Sequence, residues 1–423
     1  MKKKLIFSML LLAAASSFTA CDDELVFGKD YVKTTPDEPE IEVDKITSRV
    51  FEAGKDNHIY FRIPALIETK SGILLAFCEA RNTKADFYEG NESRFPCTPV
   101  GSASNKDIGD IDLVMKASRD GGQTWLPMVT IADDFDNTCG NPCPVVDEST
   151  GRIHLFWCWS KFGADSRLVP SITDNHSRRV MYCYSDNDGE TWSEPQDLTS
   201  TLKKDDWSWY ATGPCHAIQV RTGAYKGRLV IPCNHRDNNN KDNYSHCVYS
   251  DDNGKTWILG GSTRIGGNES CITELSDGTL MTNVRTVGLS SPNRASAIST
   301  DGGSSWSDWT SHEELLDPGC QGSVINFMDK GTPTSTLVLS NCHYGSRSNL
   351  CLSRSTDNGR TWSTEYVVWK DRAAYSDICL MADGSLAVMY EAGYGMFGKP
   401  NPNEMINFMR IADSSVDAAL GLK

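Results

Sequence analysis

The sequence predicts an all-β protein and, within that class, a six-bladed β-propeller. Three observations carry this: one octapeptide recurs five times, each copy has turn-forming chemistry, and short apolar or alternating segments flank the copies. The pattern is Ser-x-Asp/Asn-x-Gly-x-Thr/Ser-Trp, beginning at Ser118, Ser185, Ser250, Ser299 and Ser355 and ending at Trp125, Trp192, Trp257, Trp306 and Trp362. In each copy Asp or Asn can cap its own turn, Gly supplies a position with φ > 0, and Trp returns into an apolar layer. Strand-like runs precede the copies, as in Leu113-Val-Met-Lys116, Val180-Met-Tyr-Cys183 and Cys247-Val-Tyr249. A repeat of roughly 60 residues suits a four-stranded blade with generous loops, and residues 49 to 420 divide into about six such lengths.

The N-terminus reads as a processing signal. Lys2, Lys3 and Lys4 precede an apolar run from Leu5 to Phe18, which is too short to span a bilayer and suits a secretory signal. Phe18-Thr19-Ala20-Cys21 resembles a bacterial lipobox, which implies acylation of Cys21. The expected organisation is a lipoprotein signal peptide over 1–20, a flexible acidic tether over 21–48 and one catalytic propeller over 49–423. The expected location is the bacterial outer membrane, facing the periplasm or the cell surface, with membrane contact only through the lipid.

Composition narrows the partners. Against 41 basic residues stand 56 acidic ones, a net charge of −15, which argues against nucleic acid. An anionic substrate would have to be held by a few well-placed arginines. The 15 cysteines follow neither zinc nor redox spacing; Cys139-Gly-Asn-Pro-Cys143 fits neither. They read as small buried hydrophobes, with no metal site and no cofactor expected.

The octapeptides resemble the Asp boxes of the sialidase superfamily, and between them lie segments that resemble retaining exo-sialidases over nearly the whole mature chain. Tyr60-Phe61-Arg62-Ile63-Pro64 matches the Arg-Ile-Pro motif that opens such domains. The resemblance implies three arginines that clamp a sugar carboxylate: Arg62, Arg285 and Arg347. Guanidinium suits this because its planar fork pairs bidentately with carboxylate and stays charged. Arg81 matches a further arginine of the site. Tyr375, in Ala374-Tyr375-Ser376-Asp377, matches the nucleophile, and Glu269 matches its base. Sialic acid carries a carboxylate on its anomeric carbon, so a neutral phenol avoids the repulsion a carboxylate nucleophile would meet. Glu391 matches the glutamate that holds the first arginine.

Two aspartates compete for the general acid. Asp86 stands at the family's distance from Arg81, and Asp107 at its distance from the first box, with 82–106 read as an insertion. Asp107 is preferred because insertions are tolerated in loops and not beside strands; Asp110 and Asp112 read as structural. The resemblance also places 140–147 and 209–214 at the pocket wall. It implies an exo-α-sialidase that releases terminal sialic acid from glycoproteins, glycolipids and oligosaccharides through a tyrosyl-enzyme intermediate. The alternative is a sialic-acid-binding propeller without catalysis.

Overall fold

Short strands punctuated by Gly- and Asp-rich turns leave little room for helix. The computed structural model describes residues 42–82, 107, 109–162, 171–288, 293–343, 345–394 and 401–422, all within one folding unit. Among them the α-helices are short, at Thr199–Leu202 and Asp413–Ala419. None is long and apolar enough to cross a membrane.

Antiparallel groups follow one another along the chain. Tyr60–Glu68, Leu74–Arg81, Ile111–Ser118 and Val129–Ala132 form the first. Thr138–Val146, Ile153–Ser160, Arg179–Ser185 and Gln196–Asp197 form the second. The third comprises Trp207–Thr212, Leu229–Asp237, Asn243–Ser250 and Ile258–Ser262. The fourth comprises Gly267–Glu274, Leu280–Thr286, Asn293–Ser299 and Thr310–Leu316. Ser323–Asp329, Thr332–Cys342 and Ser348–Ser355 pair in turn and end on the first half of the long strand Ser363–Leu380. The second half of that strand pairs with Leu386–Gly393, then Met405–Ile411, then Lys45–Glu52 from the other end of the chain.

The last pairing corrects the expected tether. Strand begins at Lys45, inside the stretch read as flexible up to residue 48, and Val43 already packs in the core. The acidic, Pro-containing context hid it: only the edge-strand alternation of Lys45–Arg49, with outward charges, marks these residues as β. Residues 1–41, with the signal segment and Cys21, lie outside the described residues, as does Asp86.

Apolar residues of adjacent groups interdigitate. Phe156 and Tyr182 of the second group pack on Leu229, Val248 and Trp257 of the third, while Leu66 and Cys78 of the first pack with Phe408 of the last. Burying each such side chain contributes about 1.5–3 kcal/mol. Among the described residues the cysteines are free thiols, all buried except the half-buried Cys379, as the composition suggested.

The five octapeptides form the same turn. In each, the Gly N–H donates to the Ser Oγ at 2.8–3.0 Å. The Thr or Ser N–H four residues beyond the capping Asp or Asn donates to that side chain, for example Thr124 to Asp120 at 2.9 Å. The Thr124 hydroxyl, with the Thr124 N–H and the Ser118 hydroxyl, pulls the exposed Asp120 carboxyl down to about 2. The glycine has φ > 0 and also touches the preceding group: a Cβ on Gly254 would lie 2.1 Å from His154, and one on Gly122 2.0 Å from Phe408. Gly189, Gly303 and Gly359 rest in the same way on Met115, Cys247 and Met281. The box tryptophans continue these contacts, Trp257 edge-on to Phe156 at 4.6 Å and Trp125 to Phe408 at 5.4 Å. Each turn therefore fastens its own sheet to the one before it, and the first turn fastens to the last sheet.

Candidate active site

The first strands of the groups lie on the inside, and most are interrupted at one place. Register slips between Arg62 and Ala65, Gly140 and Cys143, Trp207 and Tyr210, Gly267 and Ser270, and Ala373 and Ser376. An extra residue in a strand turns side chains out of the regular pleat. Three of these five irregularities hold the nominated residues Arg62, Glu269 and Tyr375, and the other two fall at the segments 140–147 and 209–214. Ile63 shows the local cost, because a β-branched residue at φ +60° is held there against its preference. Its N–H donates to Glu391 Oε1 at 2.7 Å, which fixes the conformation that aims Arg62.

Glu391 is fully buried and works at three points. It takes Arg62 Nε at 3.2 Å and Nη2 at 3.3 Å, and its Oε2 accepts the Tyr375 N–H at 3.2 Å. One carboxylate therefore sets the positions of both the first arginine and the tyrosine. The Tyr375 hydroxyl donates to Glu269 Oε1 at 2.5 Å. Arg285 Nη1 bridges the pair, donating to Glu269 Oε2 at 2.7 Å and to the Tyr375 hydroxyl at 3.1 Å. The guanidinium carbons of Arg62 and Arg347 stand 5.0 and 5.5 Å from the Tyr375 ring centre, and Arg347 is steered by the Gly319 carbonyl at 3.0 Å. Burial, reinforced by the Glu269 carboxylate, pushes the phenol well above its usual range against the pull of the three arginines. It is neutral at physiological pH.

The other wall carries Arg81, whose guanidinium is fully buried. Arg81 Nε donates to Glu79 at 2.8 Å, and its Nη2 reaches Asp107 Oδ1 at 3.4 Å. Asp107 is half exposed at the open end of this contact. Desolvation raises its proton affinity, but the positive charges of Arg81, Arg62 and Arg178 outweigh it and hold the carboxyl below the usual range. Asp110 accepts from Asn82 at 3.4 Å and Asp112 meets His58 at 3.1 Å, both away from the clamp.

All the described residues nominated for chemistry thus gather in one place. The structure adds others. Glu79 could have been flagged as a lone carboxylate in the apolar run Leu74–Arg81. Arg178 and Asp377 gave no such signal. Asp377 sits beneath the tyrosine and accepts N–H groups of Leu66 at 2.8 Å and His216 at 2.9 Å and the Ser323 hydroxyl at 2.7 Å, tying inner segments together. Cys215, His216 and Asp377 bring potential metal-ligand atoms within 4.8 Å of one another. Both Asp377 oxygens are already engaged by these donors and by His216 Nδ1 at 2.7 Å, so the cluster reads as a hydrogen-bonded hub and a metal would have to displace it.

Comparison with known proteins agrees with this geometry. Residues 101–388 match the model of the BNR repeat-like domain. A sialidase of Bacteroides fragilis is 28% identical over 81% of this chain, which spans 62% of that protein's length. A sialidase of Paraclostridium sordellii is 31% identical over 78% of this chain and 76% of its own. The solved structure of a Hadza microbial sialidase superposes with a TM-score of 0.72 at 25% identity, covering 88% of this chain and 69% of the other. With the repeated turns, the interrupted inner strands and the Tyr375–Glu269 contact beneath three guanidinium groups, these likenesses have one reading: the chain belongs to the BNR-repeat sialidase superfamily and has its β-propeller fold.

Proposed function

We propose that the protein is an exo-α-sialidase that removes terminal sialic acid from glycoproteins, glycolipids and oligosaccharides with retention of configuration. The observation that carries the reading is the 2.5 Å hydrogen bond from the Tyr375 hydroxyl to Glu269, with Arg285 on both partners. Arg62, Arg285 and Arg347 would clamp the substrate carboxylate, with Arg81 at the adjoining wall. Glu269 takes the phenolic proton as the Tyr375 oxygen bonds to the anomeric carbon. Asp107 gives its proton to the departing glycosidic oxygen as that bond breaks. In the second half Asp107, now a carboxylate, takes a proton from water, the water oxygen displaces Tyr375, and the phenolate recovers its proton from Glu269. A carboxylate bound among the arginines offsets the positive charge that depresses Asp107 in the free protein, which brings the acid toward its protonated form.

Each of the six strand groups is read as one blade, the last closed by Lys45–Glu52. The N-terminal segment is read as a lipoprotein signal with Cys21 acylated, which mass spectrometry of the membrane-extracted protein would test. The central test is Tyr375→Phe assayed on a sialoside. Turnover should fall by about three orders of magnitude or more while the sugar still binds. Wild-type turnover in that variant overturns the mechanism. A wild-type protein that binds sialosides without cleaving them would instead be a lectin-like propeller.

A further inference from the structure

A chain of buried polar groups runs from Asp107 into the second strand group and ends on a residue to which the mechanism gives no role. Arg178 is 1% exposed, and among the described residues its guanidinium donates to neutral acceptors. Its Nη2 donates to Asn141 Oδ1 at 2.5 Å, its Nη1 donates to Ser160 Oγ at 2.9 Å, and its guanidinium carbon lies 4.1 Å from the Trp209 ring centre. A buried cation held by two neutral acceptors and a ring face, with its Nε unpartnered among the described residues, is costly to keep. What it holds is therefore informative.

Asn141 lies in the interruption of its inner strand, at φ +60°, and its N–H donates to Glu79 Oε1 at 2.7 Å. Gly140 leaves room for that carboxylate, since a Cβ there would lie 2.3 Å from Glu79 Oε1. The Thr212 hydroxyl closes the corner on the Asn141 carbonyl at 2.5 Å. The other Glu79 oxygen takes Arg81, and Arg81 reaches Asp107. Each link fixes the next, and the half-exposed member is Asp107 at the mouth.

We propose that Arg178 is a positioning residue for the acid–base carboxylate of Asp107, acting through Asn141, Glu79 and Arg81. Loss of Arg178 frees the Asn141 corner, lets Glu79 and Arg81 shift, and removes one of the positive charges facing Asp107. Among the described residues the charged groups acting on Asp107 include Arg81, Arg62 and Arg178, and Lys203 faces Arg178 by donating to its carbonyl at 3.0 Å. The inference rests on the proposed role of Asp107 as general acid.

The test compares two leaving groups in the full chain. Sialyllactose releases lactose, whose oxygen would leave as a sugar alkoxide and needs a proton, whereas 4-nitrophenyl sialoside releases a stable 4-nitrophenolate and needs little help. Arg178→Met should lose roughly 10- to 100-fold in kcat/KM on sialyllactose and less than about 3-fold on the aryl sialoside. The basic limb of its kcat profile should move to higher pH, and Arg178→Lys should restore both. Asn141→Gly cuts the same link at a backbone conformation glycine adopts freely, and it decides the matter if Arg178→Met does not fold. Equal losses on both substrates, or no loss on sialyllactose, overturn the proposal. Asp107→Ala separates the two layers: a selective loss there with none in the Arg178 and Asn141 variants defeats only this inference, whereas an equal loss there defeats the general-acid reading beneath it.

Discussion

The outer turns and the inner strands of this molecule solve opposite problems. The turns repeat one sequence, one hydrogen-bond pattern and one contact, each fastening a sheet to its predecessor through a glycine and a tryptophan. Five of the inner strands share a position of irregularity and little else: the residues there are Arg62-Ile63, Asn141, Trp209, Glu269 and Tyr375. The lesson is that the frame is conserved within the molecule so that the centre can vary. A bulge accepts almost any residue, so chemistry can be written into it without unfastening the ring.

That separation can be broken on purpose. The largest effect is expected at Glu391, where one carboxylate supports Arg62, Ile63 and Tyr375. Glu391→Gln should lower kcat/KM by about 10²–10³-fold and cost roughly 3–5 kcal/mol of stability, because it leaves a buried guanidinium unpaired. Steady-state kinetics and denaturant unfolding check the two numbers, and a variant that keeps wild-type kinetics would detach the inner irregularities from function.

The turns should respond the other way. Gly254→Ala places a methyl against the rigid His154 ring at φ +75°, so unfolding measurements should show a loss of about 2–4 kcal/mol, with kcat of the folded protein changed less than 2-fold. Gly359→Ala meets the flexible Met281 thioether and should lose only about 1–2 kcal/mol. If either substitution abolishes kcat while leaving the melt unchanged, frame and centre are not separable.

Near neutral pH the smallest effects come from titration, and they grow as the solution is acidified. In the third group, burial lowers His246 to about 3, and His235, 3.0 Å away, lower still; His154 is lowered to about 4. Below an unfolded value near 6.5 the unfolded chain binds protons that these rings refuse, so each costs roughly 1.4 kcal/mol per pH unit as the pH falls toward its folded value. His216 has the opposite sign. Burial opposes its charge, but the Asp377 carboxylate outweighs that and raises it. Its contribution is present below about 6.5 and fades as pH rises through its folded value. Urea midpoints across pH should show a steep acid limb that flattens in His246→Gln, and a shallow alkaline decline absent in His216→Gln.

The contrast also explains what could be read in advance. The boxes were legible because every residue type in them is dictated by the turn. The cluster of arginines around Tyr375 was legible because Arg62 in an apolar strand demands a reason, and because the motifs resemble a family. Arg178 was not, since Arg178 and Arg179 are adjacent and identical in character. Strand alternation sends one inward to Asn141 and the other outward to Asp197 at 2.7 Å, and only the fold says which. Asp377 hid for the same reason, because its partners Leu66, His216 and Ser323 are distant in sequence. Lys45–Ser48 reads as tether in the sequence because its β character depends on a partner near residue 410.

That partner has a temporal consequence. Lys45 pairs with Ile411, so among the described residues the first strand to leave the ribosome waits for the last before its backbone N–H and C=O groups are satisfied. Until then the chain has two open strand edges that can add a neighbouring copy. Closing the ring is therefore a late event with high loop-closure entropy, and the interval before it is when the nascent protein most needs shielding from its own kind.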